Sequence, residues 1–81
     1  MEQRTLLKLV EELNELATVL LQQHNKPHKN LQNEIEEEMG DVLMWIKKAK
    51  KSLNKKAIKR RIEWKKTKLQ LKEKFNSDWE A

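Results

Sequence analysis

The stretch from Asn33 to Lys48, NEIEEEMGDVLMWIKK, decides the fold, because it has helical periodicity but places acids among apolar residues. At about 100° per residue, one helical face carries Leu31, Ile35, Val42, Trp45, Ile46 and Ala49. Glu38 falls inside this apolar arc, and Glu34 and Asp41 lie at its margin. Burying a carboxylate without a partner is costly, and a divalent cation is a common partner for clustered carboxylates. The alternative is that these acids form the edge of a solvated face.

Composition sets the limits of the molecule. The chain has 81 residues with one Gly and one Pro, which predicts a single domain, residues 1–81, with little material for turns. It contains no Cys, so disulfides and thiolate zinc sites are excluded. No apolar run approaches the roughly 18 residues that a membrane span needs, and the N-terminus lacks a signal-peptide pattern. The sequence therefore predicts a cytoplasmic protein without membrane association.

Apolar periodicity predicts an all-α, three-helix protomer, with helices at about residues 4–23, 31–51 and 55–75. Pro27 separates the first two helices, and Asn30 and Asn54 are suitable caps for the second and third. Trp79, in the short tail beyond residue 75, is expected to dock on the helices. With Leu7 and Leu21, the apolar arc of the first helix reaches roughly 160 to 180°, wider than one neighbouring helix would cover. We therefore expect the antiparallel helices to assemble into a dimeric or larger bundle.

Gly40 stands in the middle of the second predicted helix, where it costs about 1 kcal/mol relative to Ala. This position predicts that another helix crosses closely beside it.

Charge is distributed unevenly along the chain. The first half is acidic, whereas between Lys47 and Lys74 the basic residues are opposed by Glu63 and Glu73 alone. On the third helix a basic row lies between two apolar edges and comprises Arg61, Lys65, Lys68 and Lys72, while Lys59, Lys66 and Lys74 lie on the opposite side. The asymmetry indicates a polyanion partner, although such a row also arises when aliphatic stems pack and the ammonium groups reach solvent.

Acidic pairs recur on the first two helices. The first carries EELNE, Glu11 to Glu15, and the second carries EMGD, Glu38 to Asp41. Acids at i and i+3 lie one turn apart on the same face, so two antiparallel helices can present four carboxylates to one ion. An all-oxygen site suits Mg²⁺, with Mn²⁺ as a possible substitute.

These motifs, their order and the apolar DVLMWI continuation resemble the MazG-like, all-α NTP pyrophosphohydrolase superfamily, whose signature is EExxE followed by ExxD in the next helix. The resemblance covers most of the chain and is closest to the compact type found in phages and bacteria. It implies Mg²⁺ held by Glu12, Glu15, Glu38 and Asp41, and cleavage of a nucleoside triphosphate to the monophosphate and pyrophosphate. It also implies a homodimer or homotetramer. It does not indicate which base is preferred.

A mechanism of metal-assisted hydrolysis assigns further roles. Glu11 or Glu37 would accept a proton from the attacking water. Arg61, Lys65 and Lys68 would offset triphosphate charge, and Trp45 would stack on a base, although a lone aromatic on an apolar face is more often core. The competing interpretations are a basic helical module that binds nucleic acid or regulates without catalysis, and a helical adaptor. The position of Glu38 within the apolar arc favours the enzyme.

Overall fold

The computed structural model consists of three α-helices: α1 at Gln3–Asn25, α2 at Gln32–Lys50 and α3 at Lys55–Glu80. It describes the backbone of residues 1–80 and the side chains of residues 1–74, and contains no strand within that part. α3 continues past residue 75, where the pattern predicted its end. The predicted docking of Trp79 lies outside the described side chains. Within the described residues, no helix is long and apolar enough to cross a membrane.

The turn between α1 and α2 is fixed by one glutamine. The Gln23 side chain donates a hydrogen bond from Nε2 to the Lys29 carbonyl oxygen at 2.6 Å. Its Oε1 accepts a hydrogen bond from the Leu31 N–H at 2.9 Å. Gln23 therefore satisfies backbone groups that Pro27 and the turn leave outside either helix.

Asparagine side chains accept backbone hydrogen bonds near the starts of α2 and α3. Asn54 caps α3, since its Oδ1 accepts a hydrogen bond from the Ala57 N–H at 3.0 Å, as predicted. Asn30 accepts from the Gln32 N–H at 3.2 Å, and α2 begins at that residue. The prediction that Asn30 is the N-cap of α2 is wrong, because Leu31 occupies the N-cap position and its side chain makes no capping hydrogen bond.

α1 and α2 pack together as a helical hairpin and form the core of the protomer. The buried residues are few and small: Thr5 and Val19 from α1, and Val42 and Ala49 from α2, the last two each 3% exposed. A core of this size buries little apolar surface, so it provides a modest hydrophobic contribution to stability.

α3 packs extensively against neither α1 nor α2. The molecule consequently measures 50 × 39 × 15 Å, with a radius of gyration of 16.6 Å. A compact chain of this length would have a radius of gyration of about 12 Å. The protomer is therefore a flat hairpin with a projecting helix.

Large apolar side chains remain exposed along all three helices. Leu7 is 54% exposed and Leu21 is 60% exposed, both on α1. Others are Leu43 and Met44 on α2, and Ile62, Trp64, Leu69 and Leu71 on α3. Apolar surface this extensive is typical of faces that another molecule covers.

The prediction of a close crossing at Gly40 is wrong for the protomer. A Cβ built on Gly40 would have no neighbouring atom within 4 Å in the part of the chain that the structure describes. Close packing among the described residues of one chain therefore does not explain the glycine.

Candidate metal centre

Three carboxylates converge where α1 and α2 face each other. Glu12 and Glu15 lie one turn apart on α1, and Glu38 reaches them from α2. One oxygen of each lies within 4.8 Å of an oxygen of the others. The helical hairpin thus brings together residues that are far apart in the sequence.

Two of these carboxylates have a buried, unsatisfied oxygen. The Oε2 atoms of Glu12 and Glu38 are shielded from solvent and have no hydrogen-bond partner among the described residues. Buried polar atoms are nearly always paired, because an unpaired one loses its hydrogen bonds to water without replacement. A proton or a cation would satisfy both atoms.

The electrostatics of the cluster favour a bound positive charge. Burial raises the pKa of Glu12 above its ordinary value of 4.5, and the charges of Glu15 and Asp41 raise this pKa further, against a lowering by Lys8. Burial also raises the pKa of Glu38, and Glu15, Asp41 and Glu12 add to the effect. Desolvation and mutual repulsion thus act in the same direction at both groups.

Asp41 borders this cluster and is exposed. Its charge contributes to the raised pKa of both Glu12 and Glu38. The structure does not, however, place Asp41 among the carboxylates whose oxygens converge within 4.8 Å. Hard oxygen donors without nitrogen or sulfur fit Mg²⁺ or Mn²⁺. The residues present therefore suit the ion that the sequence predicted.

The two candidate proton acceptors lie outside the buried cluster. Glu11 is exposed, and its Oε2 lies 3.2 Å from Lys8 Nζ in an ion pair on the surface of α1. Glu37 is exposed on α2. Both are next in sequence to a member of the cluster.

Trp45 and the basic residues of α3 occupy different parts of the protomer. Trp45 is half-buried on α2, with Lys48 Nζ 5.0 Å from its ring centroid. Arg61, Lys65 and Lys68 are exposed on α3. No ion pair within residues 1–74 joins these three to an acid of α1 or α2, because α3 projects away from the hairpin. One protomer alone does not bring its basic row to its carboxylates.

The structure reveals a cation–π cluster that sequence reasoning missed. Arg61 Cζ lies 3.9 Å and Lys68 Nζ 4.9 Å from the centroid of the Trp64 ring. The i−3 and i+4 spacing around Trp64 is the signal that could have predicted it. Two of the predicted substrate ligands therefore rest on an aromatic ring in the isolated protomer.

An open cavity of about 400 Å³ adjoins the carboxylates. Glu15 and Glu38 form part of its wall, and the other lining residues are Asn14, Thr18, Val19, Gln22 and Glu34. Asn14 and Gln22 were not predicted as site residues, although both lie within two turns of Glu15 on α1. Their amide groups can donate and accept hydrogen bonds beside the candidate metal centre.

Comparison with known proteins gives a family match over nearly the whole chain. Residues 1–77 match the family model described as the MazG nucleotide pyrophosphohydrolase domain. No curated protein and no solved structure gives a significant match. The matched span contains both helices that carry the carboxylates, and most of α3. The chain belongs to the MazG nucleotide pyrophosphohydrolase domain family.

Proposed function

We propose that this protein is a Mg²⁺-dependent nucleoside triphosphate pyrophosphohydrolase, which converts an NTP or dNTP to the monophosphate and pyrophosphate. Membership of the family supports nucleotide pyrophosphohydrolase chemistry in general. The observation that carries the proposal is the convergence of Glu12, Glu15 and Glu38 with two buried, unpaired oxygens. Such an arrangement is costly in a folded protein unless a cation compensates it.

Glu12, Glu15, Glu38 and Asp41 would hold the ion. Bound there, Mg²⁺ would supply charge neutralisation for the phosphate oxygens and lower the pKa of a bound water. Glu12 and Glu38 lie on the same two helices as the buried Val19 and Val42 of the hairpin core. Asp41, which is exposed and lies outside the three converging carboxylates, would supply the remaining oxygen ligand.

Glu11 and Glu37 are the proposed proton acceptors. Each is exposed beside a metal-binding glutamate, and neither belongs to the group of converging oxygens. A carboxylate with a free oxygen can orient a water by accepting its hydrogen bond and can then take its proton. The Lys8 ion pair at Glu11 holds one of these carboxylates on the surface of α1.

Substrate contacts are proposed for Trp45, Arg61, Lys65 and Lys68. Trp45 lies one helical turn beyond Asp41 and is half-buried, so part of its ring is available to stack on a base. The basic side chains would offset negative charge on the triphosphate and on the leaving pyrophosphate. Because α3 projects from its own hairpin, their approach to a carboxylate cluster requires α3 to pack on a hairpin.

We further propose that the protein is a homodimer or a homotetramer. The exposed leucines of α1 and the apolar edges of α3 would be covered by other copies. Isologous association of identical protomers is the commonest way to bury such faces. Assembly would also provide the hairpin surface against which α3 can pack.

The proposal is tested by incubating the protein with a panel of NTPs and dNTPs plus Mg²⁺ and measuring pyrophosphate. We expect at least one nucleotide to yield pyrophosphate and monophosphate in equal amounts, and Glu38→Gln to abolish the activity. Glu36→Gln is the matched control, because Glu36 is exposed on α2 and bonds to Gln32 Nε2 away from the cluster. Absence of pyrophosphate with every nucleotide, or full activity of Glu38→Gln, would contradict the proposal.

A further inference from the structure

One side of α3 is strongly basic and has no part in the proposed active site. We define the outer basic face of α3 as the basic side chains within an arc of about 140°, on the side away from Arg61 and Lys65. They are Lys55, Lys56, Lys59, Arg60, Lys66 and Lys74. All six are exposed. The face runs for about 30 Å along the helix at 1.5 Å per residue.

Two acids offset part of this charge, because Glu63 and Glu73 lie on the same side of the helix. Glu63 is 3.7 Å from Lys66 Nζ, in a pair whose side chains are both more than half exposed. Exposed i, i+3 pairs of this kind are weak. Of the six basic residues of the face, Lys66 alone has an ion-pair partner within residues 1–74. The face therefore presents a strong positive potential to solvent.

The basic surface extends beyond α3. Lys47, Lys50 and Lys51 from the last turn of α2 and the following turn lie with Lys55 around an open hollow of about 410 Å³. Leu43 and Ile46 also line this hollow. Lysines from α2, from the turn and from α3 therefore border one concave surface, which is a shape that a phosphate backbone can enter.

We propose that the outer basic face of α3 binds the phosphate backbone of double-stranded DNA without reading its sequence. Clustered Lys and Arg on a helix neutralise DNA phosphates and release the counterions condensed on them. α3 projects from the hairpin as a single helix, and the major groove of B-form DNA admits one α-helix. The corresponding groove of an RNA duplex is too narrow for side chains to read.

The composition of the face argues against the other polyanions. Besides its charged residues it carries Thr67 and Gln70 but no large apolar side chain, so it has nothing to insert into a lipid bilayer. It also carries no aromatic ring on which unpaired bases could stack, since Trp64 lies under Arg61 and Lys68. A second copy of the chain would cover the apolar edges of α3, which border the opposite side of the helix. The outer face stays accessible in such an assembly.

Binding to duplex DNA would be a second function, and it does not depend on the proposed hydrolysis. A protein held on DNA by α3 would keep its carboxylate site, on the hairpin, free for small nucleotides. The two surfaces are separate because the outer basic face lies on the side of α3 away from Arg61 and Lys65.

The test measures binding of the full chain to a fluorescently labelled duplex DNA of mixed sequence by anisotropy, from about 50 mM to about 200 mM salt. We expect Lys59→Ala with Lys66→Ala to weaken binding at least about tenfold and to reduce the salt slope by about 2. The matched control is Lys26→Ala with Lys29→Ala, which removes the same charge from the exposed turn between α1 and α2. The control should bind almost as the wild type does.

Melting curves establish that both double variants fold. The proposal is overturned if the wild type does not bind duplex DNA at about 50 mM salt, or if both double variants weaken binding equally. It is also overturned if single-stranded DNA, duplex RNA or vesicles containing phosphatidylserine bind more tightly than duplex DNA. Pyrophosphate release can fail in the nucleotide panel while DNA binding persists, so the two proposals are separable.

Discussion

At the scale of single residues, the most informative feature is that Glu12 and Glu38 each shield a carboxylate oxygen from water. Neither oxygen has a hydrogen-bond donor within residues 1–74, in a protein with an excess of basic residues. Lys8 does lie near enough to lower the pKa of Glu12, but it pairs with Glu11. Without a cation, this arrangement opposes folding.

The first prediction concerns the pH dependence of stability without metal. Because the folded-state pKa of Glu38 is raised above 4.5, the folded protein binds this proton more tightly than the unfolded chain does. The stability gained from this tighter proton binding is fully present below the pKa of the unfolded chain, and it is lost as the pH rises through the pKa of the folded protein. In EDTA, Glu38→Gln should therefore be more stable than the wild type at about pH 7.5, with a smaller advantage at about pH 5.

Urea unfolding of the two proteins at both pH values checks this expectation, with Glu36→Gln as the control. A wild type that is more stable than Glu38→Gln at the higher pH would show that burial of the Glu38 carboxylate is compensated within the chain.

Gly40 supports a second prediction at the residue scale. Since a Cβ there meets open space, Gly40→Ala should stabilise the helix by about 0.5 to 1 kcal/mol through the lower conformational entropy of the unfolded chain. The free energy of unfolding measured in urea gives the result. A loss of stability together with a smaller assembly would mean instead that another copy packs against Gly40.

At the scale of elements, the sequence predicted three helices, and the structure contains three. Periodicity and the Asn54 cap were sufficient, because both are local signals. The role of Gln23 was not predictable, since its hydrogen bonds reach Lys29 and Leu31 across the turn. The packing of α3 was not predictable either. A basic row between two apolar edges is compatible with a helix that packs on its own hairpin and with one that packs on a partner.

The basic row of α3 supports a prediction at this scale. Lys65 lies between the apolar edges, whereas Lys66 lies on the outer basic face with Glu63. If the row contacts the triphosphate in the assembled protein, Lys65→Ala should lower kcat/KM at least about tenfold, or roughly 1.4 kcal/mol of transition-state stabilisation. Lys66→Ala should change kcat/KM little. Steady-state kinetics of both variants test this expectation. Equal decreases in kcat/KM would mean that the basic row does not contact the triphosphate specifically.

At the scale of the whole molecule, the openness of the protomer supports the proposal that several copies assemble. Among residues 1–74 the buried side chains are small, and Leu7 and Leu21 on α1 are more than half exposed. The width of the apolar arc of α1 was visible in the sequence. What would cover this arc could not be predicted, because periodicity indicates which residues avoid water and not what they contact.

We predict that the protein assembles from at least two chains. Light scattering at micromolar concentration should give a mass of at least twice the 9.8 kDa of one chain. Leu21→Glu should reduce that mass, since Leu21 is 60% exposed in the protomer and lies on the broad arc. A light-scattering mass near 9.8 kDa for the wild type would refute the assembly.

The measurement that tests the central claim most directly is the melting temperature with and without Mg²⁺. If Glu12, Glu15 and Glu38 hold the ion, Mg²⁺ at about 100 times its Kd should stabilise the folded state by about 2.7 kcal/mol. That gain corresponds to a rise in Tm on the order of 10 °C for a domain of this size. Glu38→Gln should abolish the rise, and Glu36→Gln should preserve it. A wild-type Tm that Mg²⁺ shifts no further than NaCl of matched ionic strength would contradict the metal centre.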